Sequence, residues 1–133
     1  MNIELNEKQA MLIAVALETH SRVLCGQIDL TFNRALETAL YRDCKYDNEF
    51  WQRRDTINIH LSAIKRFVFP ELSENESYGI GKFKEADLGY EMYKEILYHF
   101  EKKKHKENPK KYNRNVHSTQ PLKLTTEPTI KIK

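Results

Sequence analysis

Apolar residues recur at helical spacing in four stretches of the chain. The first opens at Asn6, whose side chain is placed to accept from the Gln9 amide while Gln9 reaches back, a capping box. It continues through Leu12, Ile13, Ala16, Leu17, Val23 and Leu24, with His20 on the same stripe, to a stop at Gly26. A second helix is expected from about Asp29, with Phe32, Leu36, Ala39 and Leu40 on one side. Asp47 is placed to cap a third, whose stripe Phe50, Ile57, Leu61, Ile64 and Val68 is the clearest, and Pro70 ends it. Residues 71–83 are acidic and carry Gly79 and Gly81, the composition of a loop with a short strand at its end. The fourth stretch runs from about Lys84 to Lys104, with Ala86, Tyr90, Tyr93, Leu97 and Phe100 in register. The pattern predicts an all-α fold, a four-helix bundle-like single domain over residues 1–104.

From His105 the pattern changes to a basic, extended tail over residues 105–133. Pro109, Pro121 and Pro128 forbid one continuous helix, while Leu122-Lys123-Leu124 and Thr129-Ile130-Lys131-Ile132-Lys133 alternate apolar with basic residues. Alternation of period two reads as a half-buried strand. Such a segment needs a surface to cover, either its own bundle or a partner subunit, and the second option implies a homo-oligomer.

Composition narrows the class. Of the 133 residues 40% are hydrophobic and 31% charged, ordinary globular usage. No apolar run is long enough for a membrane span and no signal peptide is read at the N-terminus, so a cytoplasmic, non-membrane protein is expected. Cys25 and Cys44 form no CxxC, which excludes a disulfide scaffold or zinc ribbon. The net charge of +3 is unevenly spread: residues 1–100 carry 12 Lys/Arg against 16 Asp/Glu, and residues 101–133 carry 10 against 3. A basic end on an acidic body points to an anionic partner, such as a nucleotide, a nucleic acid or a neighbouring subunit.

The signatures of catalysis are missing: no Walker loop, GxGxxG, HExxH or nucleophile elbow occurs, and the histidines lack metal-ligand spacing. No enzyme, metal or cofactor is therefore expected. The Glu91/Glu95 pair, with Lys94 and Lys84 nearby, reads as surface ion pairing. Three clusters have the composition of a binding site. Arg22 and Gln27 flank the turn after helix one, where a guanidinium could fork onto phosphate. Trp51 precedes Arg53 and Arg54, an aromatic and cations suited to a base and its phosphate. The third is the basic run Lys102-Lys103-Lys104-His105-Lys106 continued by residues 110–118, in which Tyr112, Asn113 and Arg114 combine a stacking ring, an amide and a cation.

The order of Leu5-Asn6-Glu7-Lys8-Gln9-Ala10, Ser21-Arg22, Gly26-Gln27, Tyr78-Gly79-Ile80 and Tyr90-Glu91-Met92-Tyr93, closed by a proline-bearing C-terminus, resembles small bacteriophage- and prophage-encoded helical proteins. Some of these are anti-defence proteins, and the anti-Thoeris kind are sponges that bind a host immune signalling nucleotide without cleaving it. The resemblance implies such a non-enzymatic sponge acting in the host cytosol. The alternative is a nucleic-acid- or host-protein-binding module using the basic tail. A virion or assembly component is a third reading.

Overall fold

A computed structural model describes residues 4–43 and 48–132, with the side chains of 30–34, 43, 113, 114, 116 and 117 outside the description. The chain is all-helical. The described residues form α1 (Glu7–Leu24), α2 (Ile28–Asp43), α3 (Asn48–Val68), α4 (Lys84–Glu107) and α5 (Pro109–Ser118), and no strand. No helix among them is long and apolar enough to cross a membrane. Two compact units result: Met1–Ser21 with Ile80–Lys133, and Arg22–Gly79.

The capping box forms as the sequence predicts. Asn6 N donates to Gln9 Oε1 and Gln9 N to Asn6 Oδ1, both at 2.9 Å. Helix α1 also stops where expected: Gly26 N bonds Val23 O at 3.0 Å and Gln27 N bonds Arg22 O at 2.9 Å, a Schellman closure. That closure needs a left-handed residue, and Gly26 sits at φ +81°. The Asp47 cap and Cys44 lie outside the described residues.

In the unit built from the two chain ends, α1 packs on α4 through a different stripe from the one the periodicity picks out. The buried residues of α1 are Ala10, Ala14 and Ser21, whereas Leu12 is 70% exposed and Ile13 40%. The reason lies in Gly89 of α4. A Cβ built there would stand 2.5 Å from Ser21 Oγ and 3.5 Å from Leu17 O, so the two backbones approach too closely for large side chains. Small residues on both helices make the contact, and larger ones flank it. Ala10, Ala14, Tyr93 and Ile96 form the buried cluster, with Leu17, Tyr90, Leu97 and Phe100 packed around them.

The expected extended tail is helical in its first part. Pro109 does break the preceding helix, but proline is also well suited to a first helical position, where no amide partner is lost. Asn108 ends α4 by donating its amide to Lys104 O at 2.9 Å, then caps α5 by accepting from Lys111 N at 3.3 Å. Helix α5 lies beside α4, tied by Lys94 Nζ to Ser118 O (2.8 Å) and by Asn115 Nδ2 to Glu101 Oε2 (2.9 Å). The described residues after Ser118 are irregular, with a bend at 125–127, and Ile130 and Ile132 pack against the α1–α4 cluster.

In the other unit α2 and α3 lie side by side. Phe50, Leu61 and Ile28 are buried, but Ile64 and Val68, expected on the same core stripe, stay about half exposed. The loop after α3 is held from within: Lys65, only 4% exposed, donates Nζ to Glu74 O (2.6 Å) and Glu76 O (2.7 Å). Those carbonyls replace the water the ammonium has lost.

The Gly89 contact can be checked by a double-mutant cycle. Gly89→Ala is expected to destabilise the protein by about 1–3 kcal/mol through overpacking. Adding Ser21→Ala removes the clashing oxygen and leaves Leu17 O at 3.5 Å and the residue-21 Cβ at 3.8 Å from the new methyl, both ordinary contacts, so much of the loss should return. Chemical denaturation of the four proteins measures both effects.

Candidate functional site

A carboxylate lies at the centre of the first unit's chemistry. Glu91 of α4 is 3% exposed and satisfied almost wholly by the C-terminal segment. Its Oε2 accepts from Leu124 N and Thr125 N, each at 3.0 Å, and from Thr125 Oγ1 at 3.1 Å, while Oε1 receives Lys123 Nζ. Burial pushes the acid's pKa up, but the Lys123 ammonium, the two amides and the hydroxyl outweigh it and hold Glu91 down at about 2. The expectation of a surface ion pair at Glu91 is thereby corrected. The helical register of Lys84, Lys94 and Glu95 gave no signal of this, because the partners lie more than thirty residues away.

This latch positions the rest of the tail. Further along α4, the row Glu95, Tyr98, Lys102 and Lys106, with His99 and Lys103 beside it, forms one wall of a groove of about 710 Å³. Ile130, Lys131 and Ile132 form the other wall. Four lysines, a glutamate, a tyrosine and a histidine therefore line one concave surface together with two isoleucines. Lys102 Nζ lies 5.5 Å above the Tyr98 ring. Lys104, next to Lys103 and two residues from Lys102 and Lys106, faces elsewhere. It pairs with Glu101 at 3.1 Å and Glu7 at 3.5 Å, and the hydrogen bond to Glu101 chiefly raises its pKa. The cationic stretch 102–106 is thus split between a structural lysine and groove-facing ones.

The residues singled out from the sequence have other surroundings. Arg22 Nη1 donates to Gln27 Oε1 at 2.6 Å, and Gln27 Nε2 donates to Ser77 Oγ at 3.2 Å. The structure brings this pair together, but as a brace between the helix turn and the loop before Gly79, which Tyr78 N reinforces by bonding Cys25 O at 2.9 Å. Trp51 stands on the first turn of α3, edge-on to Phe50, with the Arg54 guanidinium 5.3 Å from its ring centre. Arg54 itself pairs with Glu37 at 2.5 Å. Tyr112 is half-buried on α5 beneath Lys111 Nζ. The side chains of Asn113 and Arg114 lie outside the described residues. The groove residues Tyr98, His99 and Lys131 were not picked out, since the wall exists only once residues 130–132 are docked.

Among the described residues, no group of three or more His, Cys, Asp or Glu is arranged to hold a metal ion. Comparison with protein-family models, curated proteins and solved structures finds no match.

The latch gives a pH prediction with a definite sign. A carboxyl whose pKa is about 2 when folded and 4.5 otherwise contributes stability that is complete above pH 4.5 and lost as pH falls toward 2. The contribution is on the order of 3 kcal/mol. Glu91→Gln should remove that acid-dependent part and speed hydrogen exchange at Leu124 and Thr125. Mass spectrometry of residues 119–132 reports the exchange, and denaturation between pH 2 and pH 6 reports the stability.

Proposed function

We propose that the chain is a non-enzymatic binding protein that sequesters a small anionic ligand of the nucleotide class in the groove between α4 and the docked C-terminal segment. The observation that carries this reading is the convergence of Lys102, Lys103, Lys106 and Lys131 on one concavity that also holds Tyr98 and His99. Ammonium groups pair with phosphate, the aromatic rings and isoleucines take a base, and binding alone is all that sequestration requires. The resemblance to phage anti-defence proteins narrows the ligand to a host immune signalling nucleotide, such as a cyclic one, met in the host cytosol. A homo-oligomer belongs to the same reading. The cationic row continues into Lys110 and Lys111, both exposed on α5, which favours nucleic acid as the second reading.

Thermal unfolding against mono-, di- and cyclic nucleotides and short DNA tests this. A ligand at a hundred times its Kd adds about 2.7 kcal/mol, a rise of roughly 6–15 °C for a domain of this size. One nucleotide should give that rise and be recovered intact, and Lys102→Glu with Lys106→Glu should abolish it without lowering the unliganded Tm. A flat panel, or recovery of a cleaved nucleotide, would overturn the proposal. Affinity for DNA alone, falling steeply with salt, would put the second reading in its place.

A further inference from the structure

Helix α3 carries a second pattern that its own unit does not use. Arg53, Ile57, His60, Ile64 and Phe67 are spaced four, three, four and three residues apart, the spacing of a coiled-coil seam, and Glu71 follows in the turn past the helix. Along it Phe67 is 89% exposed and Ile64 49%, with Val68 beside them at 55%. Single exposed apolar residues are ordinary, but a helical row of them ending in a nearly bare phenylalanine is the character of an interface. Ile57 is half-buried, and Arg53, His60 and Glu71 are exposed.

The ends of the seam say what covers it. Arg53 stands at one end and Glu71, in the turn just past the helix, at the other. When a second copy is laid antiparallel about the midpoint between His60 and Ile64, each Ile57 meets Phe67 and each His60 meets Ile64 of the other copy, and each Arg53 comes to the end that carries the other copy's Glu71. A parallel pairing would oppose arginine to arginine and glutamate to glutamate. The seam is therefore self-complementary in one orientation only, as a two-fold interface requires. Arg53 now pairs within its helix with Glu49, an exposed contact of small worth that it can exchange.

We propose that the protein self-associates through an antiparallel α3–α3 contact centred between His60 and Ile64 and anchored by Phe67. This deepens the oligomeric part of the proposed function and is independent of the ligand. One helix pair buries less than the ~800 Å² per partner of a standard interface, so association is expected at about micromolar concentration.

Sedimentation velocity of the full chain across that range tests it, with circular dichroism and Tm confirming that each variant folds. The wild type should shift from monomer to dimer with concentration, and Phe67→Glu should weaken association at least about tenfold. Arg53→Glu and Glu71→Arg should each weaken it, and the two together should restore it. A wild type that stays monomeric at the highest concentration overturns both the oligomeric reading and this surface. A dimer that survives Phe67→Glu overturns the surface while leaving self-association standing. Failure of the charge exchange to restore association overturns the antiparallel register.

Discussion

A charge taken out of water must find its solvation elsewhere, and in this protein one such charge organises a large part of the chain. Glu91 is buried on α4, and its oxygens are met by two backbone amides, a hydroxyl and an ammonium from residues 123–125. An isolated buried carboxylate would cost several kcal/mol, so the C-terminal segment and the helix are obligatory partners. Lys123 is half exposed, and its attraction is screened by water. Together with that ammonium, the two amides and the hydroxyl hold the acid. Through them Ile130, Lys131 and Ile132 come to rest opposite the lysines of α4.

The second unit uses the same device with the sign reversed. Lys65 is buried on α3, and the following loop turns two carbonyls toward it. In both units an ionised helical side chain substitutes for the ladder hydrogen bonds that an irregular segment lacks. The loop is then closed locally: Glu76 accepts from Ser73 N at 2.8 Å, and that hydrogen bond chiefly lowers its pKa. This arrangement suits connecting segments that, among the described residues, have no sheet to pair with.

Local signals in the sequence were legible where the partners are close. The Asn6–Gln9 box, the Gly26 stop, the end of α3 before Pro70 and the all-α class all depend on contacts a few residues apart. The buried face of α1 was not legible, because hydrophobicity marks Leu12 and Ile13 while close backbone approach at Gly89 selects Ala10, Ala14 and Ser21. Glu91 read as a surface charge for the same reason: a buried acid and an exposed one look alike until the chain thirty residues on is placed. Arg22 and Gln27 read as an anion-binding pair beside a turn, whereas in the structure Arg22 donates to Gln27 and Gln27 to Ser77. The basic tail was visible as a charge imbalance. Its division into a helix, a latch and a groove wall was set by Asn108, Pro109 and Glu91.

The most direct test of this account is the ionisation of Glu91 itself, read from its side-chain carboxyl carbon by NMR as pH is lowered. A midpoint near 2, with the amide signals of Leu124 and Thr125 moving in step, is the expected result. A midpoint at the ordinary 4.5, with those amides unresponsive, would mean that the acid faces water and that the C-terminal segment is held by something else.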